Sequence, residues 1–294
     1  MPQISLAVCV RNEVDLLARL LEKASGCYDD LVVVHDEPEQ TETQNSLEQL
    51  VAEHQGHFFP HARAFQQEPH WPFAWSQAKY NWVLRLDADE VPSIELKEWL
   101  FRFRTASEPD PSISGYTCVW PLWNGHRIVT RSWPAGRIFL IQKERVRFFG
   151  MAEQVPVADG RFERLPLILE HRPERKSYGV SNLLFRRQAY RWRRVIAQSL
   201  LGKPTDLHCW RWTSEEWPMI WEEIRQRPLR TAVYRLVMWP LFNLRQMTRE
   251  EGRFIFSAVA FTGVHHFLVA LIYWRLRLSR HKHGPPLPKT PSSH

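Results

Sequence analysis

Asn81-Trp82-Val83-Leu84-Arg85-Leu86-Asp87-Ala88-Asp89-Glu90 runs an apolar segment straight into three carboxylates within four positions. Trp82, Val83, Leu84 and Leu86 make a short β-type run, and a strand that ends this way does not do so to stabilise a fold. Asp87 and Asp89 stand two apart on the extended exit, so their side chains can point the same way. Oxygen-rich side chains converging at the carboxyl end of a strand suit a hard divalent cation that keeps positions for water or for a ligand's phosphates. Glu90 reads as the residue that closes the turn. Taken alone, an Asp-x-Asp is more often a solvated acidic turn, so the flanking sequence has to decide.

That sequence alternates strand and helix. Ile4-Ser5-Leu6-Ala7-Val8-Cys9-Val10 is a first strand; Asn12 is positioned as N-cap of a helix whose Leu16, Leu17, Leu20 and Leu21 share a face, with Gly26 as its stop. Leu31 to His35 is a buried-type strand. A second helix carries Leu47, Leu50 and Val51, a short strand follows at His57 to Phe59, and a helical stretch near Phe73 to Tyr80 leads into the Trp82 strand. Repeated β-α-β units with continuous apolar strands imply a mostly parallel, Rossmann-like sheet with helices on both faces. Ligands of such sheets bind at the carboxyl ends of the strands. Those ends carry Arg11-Asn12-Glu13, Asp36-Glu37 and Asp87-Ala88-Asp89-Glu90. No Gly-x-Gly-x-x-Gly follows the first strand and no Walker loop exists, so a dinucleotide and a directly cradled triphosphate are disfavoured. A phosphate-bearing ligand held through a metal is the reading left.

The opening strand with Arg11-Asn12-Glu13, the strand ending at Asp36, and Trp82 to Glu90 together resemble the family 2 glycosyltransferases of the GT-A fold, most of all the branch that includes lipopolysaccharide-core β-glucosyltransferases. Arg137-Ile138-Phe139, Phe149-Gly150-Met151-Ala152-Glu153 and Glu170-His171 follow in the family's order. The likeness spans roughly residues 1–175. It implies a nucleotide-sugar donor, with a UDP-sugar favoured, whose base and ribose meet Val10, Asn12, Glu13 and Asp36. Asp87 is shared between ribose and metal, Asp89 holds Mg²⁺ or Mn²⁺ on the diphosphate, and His171 is a further metal ligand. Glu153 matches the family's general base. Arg137 is a candidate for holding diphosphate or an anionic acceptor.

Displacing a nucleoside diphosphate concentrates negative charge on the leaving oxygens, which a divalent ion stabilises, while a carboxylate takes the acceptor hydroxyl's proton. In-line attack inverts the anomeric centre. Two departures stand out: Ala152 replaces the histidine that usually precedes the base, and Asp36-Glu37-Pro38-Glu39-Gln40-Thr41-Glu42 replaces the usual Asp-x-Gly-Ser-x-Asp. They prompt an alternative, a non-catalytic glycan- or lipid-binding protein on a retained GT-A scaffold. Tyr116, Trp120, Trp123 and Trp133 lie where an acceptor sugar would be met, since aromatic faces suit sugar rings.

The 294 residues, 44% of them hydrophobic, are too apolar for a disordered chain. The four cysteines show neither paired nor metal-ligand spacing, and the chain opens on a strand rather than a basic leader; both point to the cytoplasm. A formal charge of +7 is concentrated in the second half, which calls for acidic partners. No nucleic-acid-binding motif accompanies it, so an anionic membrane surface is preferred to nucleic acid. The sequence therefore predicts a catalytic part at 1–175, an all-helical, membrane-associating part at 176–283 and a disordered Pro/Ser-rich tail at 284–294. Within the helical part, Ser177 to Leu201 reads as a long basic helix, Thr213 to Glu216 as a capping-box start, and Pro228 as a break. Phe254 to Trp274 is 21 residues without formal charge, near the length of a membrane span. One span would separate the catalytic part from the basic tail that also prefers the cytoplasmic side. The helices are instead expected to lie in the interface of the inner membrane, anchored by Trp239, Trp274 and arginines; a soluble helical core or a homodimer interface is the alternative. The acceptor is then a glycan, a lipopolysaccharide core or a lipid-linked sugar.

Overall fold

The computed structural model describes the chain apart from residues 37–40, 63, 65–66, 107–109, 122–135, 149, 151–154, 173–192, 195, 199, 202–209, 212–218, 252–255 and 281–294. The chain divides into two compact units, Met1–Glu174 with His208–Arg211, and Arg175–Leu207 with Trp212–His294.

The first unit is an α/β layer structure. β1 (Ile4–Val10), α1 (Val14–Ala24), β2 (Asp30–Asp36), α2 (Thr41–Glu53), β3 (His57–His61), α3 (Trp71–Gln77) and β4 (Trp82–Asp87) wind the half of the sheet that the alternation predicts. β3, β2, β1 and β4 pair in parallel in that order. The other half is mixed. β5 (Glu90–Pro92), α4 (Ile94–Thr105), β6 (Ile113–Val119), β7 (Arg137–Gln142) and β10 (Arg161–His171) complete an eight-stranded sheet of order β3-β2-β1-β4-β7-β6-β10-β5. β7 runs antiparallel to both β4 and β6, and β5 antiparallel to β10. A two-stranded ribbon, β8 (Val146–Arg147) with β9 (Val157–Ala158), stands outside it.

The period of two along β1 explains why both faces are covered. Ile4, Leu6, Val8 and Val10 enter one core with Leu17, Leu20 and Leu21 of α1, Leu47 and Val51 of α2, and Leu96 and Leu100 of α4. Ala7 and Cys9 enter the other with Trp71 and Trp75, one helical turn apart on α3. On that second face the chain returns at Trp210, which exchanges backbone hydrogen bonds with Phe148 (2.9 and 2.7 Å) and donates its indole N–H to the Lys143 carbonyl at 2.6 Å. Nothing in local pattern announces that return.

Several boundaries differ from those predicted. α1 starts at Val14 with Glu13 in the cap position rather than Asn12. The Glu13 carboxylate accepts the backbone N–H groups of Arg11 (2.7 Å) and Asn12 (2.9 Å), closing the loop before the helix. Gly26 follows the helix with φ of +79°, the left-handed stop expected of it. β3 is longer than predicted and α3 begins two residues earlier, after a 3₁₀ turn at Glu68–His70.

In the second unit, α5 (Met219–Gln226), α6 (Pro228–Glu251) and α7 (Phe256–Arg280) are described. Pro228 does mark a break, standing at the first position of α6, where its missing N–H costs nothing. α6 and α7 pack closely: a Cβ on Gly263 would lie 2.7 Å from Pro240 Cδ, and Asn243 donates to the Val259 carbonyl at 3.4 Å. The uncharged 254–274 segment thus contributes buried Val259, His265, His266, Val269, Ala270 and Tyr273 to a helical core. Among the described residues no helix is long and apolar enough to cross a membrane. The capping box at 213–216, most of the helix expected at 177–201 and the tail at 284–294 lie outside the described residues.

Candidate functional site

Parallel pairing sets the carboxyl ends of β1, β2 and β4 side by side. Cys9 of β1 is in register with Val34 of β2 on one side and Asp87 of β4 on the other. Alternation then sorts the exit of β4: Ala88 turns into the core at 6% exposure, leaving Asp87 and Asp89 to the opposite side.

Each carboxylate of Asp87-Ala88-Asp89-Glu90 has a different task. Asp87 Oδ1 lies 2.7 Å from Nη2 of Arg137. Glu90, fully buried, lies 2.9 Å from Nε of the same guanidinium and accepts the Asp87 backbone N–H at 2.8 Å. Glu90 thereby closes the turn, as the sequence suggests, and also shares Arg137's charge. Asp89 pairs elsewhere: its Oδ2 is 3.2 Å from Nε2 of His171. His171 reaches it because β10 runs antiparallel to β5 with His171 opposite Glu90, and the Arg172 N–H donates to the Asp89 carbonyl at 2.8 Å. Trp120 joins the two halves, its ring stacked on His171 at 4.4 Å and 22°, with the Arg137 guanidinium 5.6 Å from its centroid.

The electrostatics follow from burial and pairing. Burial opposes ionisation of Asp87, but Arg137 and Arg85 outweigh it and hold the carboxyl below its usual range. Burial raises Glu90 to about 7 against the pull of Arg137, with the neighbouring Asp87 adding to the rise. Burial also works against a charged His171, yet its hydrogen bond to Asp89 and the surrounding carboxylates raise it. Arg85, buried against the Trp71 ring at 4.8 Å, is lowered to about 10 by desolvation and by Arg137.

A second cluster stands at the end of β2. Asp36 Oδ1 accepts the Ala64 N–H at 2.6 Å and lies 3.0 Å from Nε2 of His70, whose Nδ1 is 2.9 Å from Nδ1 of His61. Burial works to raise the Asp36 carboxyl, but the bonds from His70 and Ala64 hold it low.

The sequence-predicted residues are therefore distributed as follows. Asp87, Asp89, Arg137 and His171 come together. Asp36 stands two strands away, on β2, in its own hydrogen-bonded cluster. Val10 is 3% exposed and packs into the core, so it offers a ligand its backbone rather than its side chain. Glu13's carboxylate is engaged by its own loop, and Asn12 sits in that loop beside it. Arg137, read as a diphosphate holder, is committed to two carboxylates. Tyr116 is core, in the aromatic cluster of Trp82, Trp99 and Phe103. Glu153, Trp123 and Trp133 lie outside the described residues. Sequence reasoning missed His61, His70 and the buried Arg85; lone histidines before a Trp-rich turn give no spacing signal.

Asp89 and His171 present one carboxylate oxygen and one imidazole nitrogen 3.2 Å apart, a separation that a shared proton or a shared cation satisfies. That donor set fits Mn²⁺ or Mg²⁺ and leaves most of the coordination sphere to water or ligand oxygens. Among the described residues no group of three or more His, Cys, Asp or Glu side chains is arranged to hold a metal. The molecule is thus an α/β protein with a charged cluster at the carboxyl ends of its parallel strands, the edge at which ligands of such sheets bind.

No family model and no curated protein sequence matches the chain. Among solved structures, it is similar to the mannosyltransferase PcManGT from Pyrobaculum calidifontis in complex with GDP-Man and Mn²⁺. Identity is 14% over 93% of this chain and 87% of that one, with a TM-score of 0.48. It is also similar to S. aureus TarS 1–349, at 12% identity over 94% and 92% of the two chains and a TM-score of 0.39. At this identity neither likeness transfers an activity or a ligand to this chain.

Proposed function

We propose that the chain is a metal-dependent, inverting glycosyltransferase that moves a sugar from a UDP-sugar to a glycan, lipopolysaccharide-core or lipid-linked acceptor. The observation that carries this reading is the Asp89–His171 pair at the carboxyl edge of the parallel strands, beside a cluster in which Arg137 pairs with both Asp87 and Glu90. Mg²⁺ or Mn²⁺, when bound, would supply positive charge to the leaving diphosphate oxygens. Asp89 and His171 would hold it. Trp120 fixes the imidazole plane from behind, and Arg137 keeps Asp87 ionised and oriented. Asp36, with one oxygen engaged by Ala64 and His70, keeps its other oxygen for a ribose or base donor group. Glu153 has the role of general base in this scheme, and inversion follows from in-line attack.

The test is transfer or hydrolysis of radiolabelled UDP-sugars with and without Mn²⁺. Asp89→Ala should lose activity by more than a hundredfold and His171→Ala by roughly ten- to a hundredfold; undiminished turnover in Asp89→Ala refutes the proposal. One observation favours a second reading, binding without turnover: Asp87 is engaged by Arg137, which leaves one carboxylate rather than two for a cation. Calorimetric binding of UDP-sugar with no turnover across an acceptor panel would select it.

A further inference from the structure

The second unit carries a face that the donor-site reading does not use. On α6, Leu229, Val233, Val237 and Leu241 recur every four residues and are 44, 60, 53 and 54% exposed, with Leu236 and Phe242 exposed beside them. At 100° per residue this stripe lies away from the buried Ala232, Arg235 and Asn243, which belong to the side packed on α7. A solvated helix face carries charge, whereas this one is apolar over three turns.

At the start of the stripe lies a groove of about 460 Å³, lined by Arg227, Pro228, Leu229 and Arg230 and, from the end of α7, by Trp274, Arg277 and Leu278. Arg277 is held in place by donating to the Arg225 carbonyl at 2.9 Å. No carboxylate lines the groove, and from Pro228 to His294 the sequence contains only two acidic residues, Glu250 and Glu251. A second copy of the chain would bring the same cationic, carboxylate-free surface, so self-association leaves the arginines without counter-charge. An anionic phospholipid supplies both missing complements, a phosphate for the arginines and acyl chain for the stripe. An orientation in the bilayer plane lets the stripe meet acyl chain and the arginines meet headgroup phosphate at once, with Trp274 at the headgroup level.

We infer that this face of α6, with the arginine groove at its start, docks in the plane of a bilayer containing anionic phospholipid. The surface is independent of the donor site, and its test needs no turnover. Full-length protein is floated with vesicles of phosphatidylcholine alone and of phosphatidylcholine mixed with phosphatidylglycerol. The parent should partition strongly to the mixed vesicles and weakly to the neutral ones. Arg227→Gln with Arg230→Gln should lower partitioning to the mixed vesicles about twenty-five-fold, roughly fivefold per arginine, and abolish the preference between them. Val237→Glu with Leu241→Glu should remove binding to both. All of these positions are exposed, and unchanged circular dichroism and melting would show that the variants fold; Val237→Ser is the milder check. The inference is overturned if the parent floats with neither vesicle, if the variants float like the parent, or if sedimentation shows a dimer that Val237→Glu dissociates with no vesicle binding.

Discussion

Arg137→Met removes the one guanidinium that serves two buried carboxylates. Asp87 loses a 2.7 Å partner and Glu90 a 2.9 Å partner, at side-chain exposures of 15% and 0%. Breaking a buried ion pair by deleting one member costs about 3–5 kcal/mol, because the remaining charge is stranded. Glu90 offers a partial escape by protonation. Burial already raises it to about 7 from the ordinary 4.5, and loss of Arg137 raises it further. An acid raised in the folded state binds its proton there while the unfolded chain has released it, so stability falls as pH rises through that window. For the variant the fall continues above pH 7, at up to about 1.4 kcal/mol per pH unit. Urea denaturation followed by tryptophan fluorescence at pH 6 and pH 8.5 should therefore show a modest loss at the lower pH and the full loss at the higher one. Adding Glu90→Gln should flatten that dependence and recover part of the stability at pH 8.5. A variant within about 0.5 kcal/mol of the parent at both pH values would refute the claim that Arg137 is a structural counter-ion.

Three further outcomes follow from the same packing. Trp120→Ala removes the ring stacked 4.4 Å from His171, so Mn²⁺ affinity measured by calorimetry should drop about tenfold, with Trp120→Phe retaining most of it. In the helical unit His266 is lowered to about 3 and His265 well below its usual value, both first of all by burial. The unfolded chain takes up those protons below about pH 6.5 and the folded one does not, so helical stability should fall as pH drops below about 6.5, by up to about 1.4 kcal/mol per pH unit from His266 alone; urea titration of the far-ultraviolet signal reads this, and His266→Phe should shrink the slope. Gly115→Ala would set a Cβ 2.5 Å from the Leu140 carbonyl oxygen, spreading β6 from β7 at a cost of about 1–3 kcal/mol by chemical denaturation.

The parts of this molecule legible in its sequence are those written in local period. The continuous apolar strands and the leucine face of α1 fix the parallel half of the sheet, and with it the row of strand ends where Asp36 and Asp87 stand. The antiparallel half was not legible, since β7 reaches β4 from more than fifty residues away and no short-range pattern encodes that pairing. The site divides in the same way. Asp89 and His171 could be named from motif order, but that Arg137 would be spent on Asp87 and Glu90 depends on β7 lying beside β4. The Asp36–His70–His61 chain depends likewise on β3 lying beside β2.

That pairing changes what the acidic run can do. Three carboxylates crowded at a strand end would repel one another and draw a cation whether or not a ligand was present. Two of them are removed from that competition: Arg137 pairs with both and holds Asp87 ionised, while burial, against the pull of Arg137, leaves Glu90 close to neutrality at physiological pH. Asp89 is left paired with His171, 3.2 Å away. If Asp89 and His171 hold a hard cation, as the proposed function has it, further oxygens would arrive with the ligand to complete its coordination. Under the proposed function, a cation held by Asp89 and His171 would be taken up together with a phosphate-bearing donor and released after the phosphate leaves. A structural metal site would need the opposite, a full set of protein ligands.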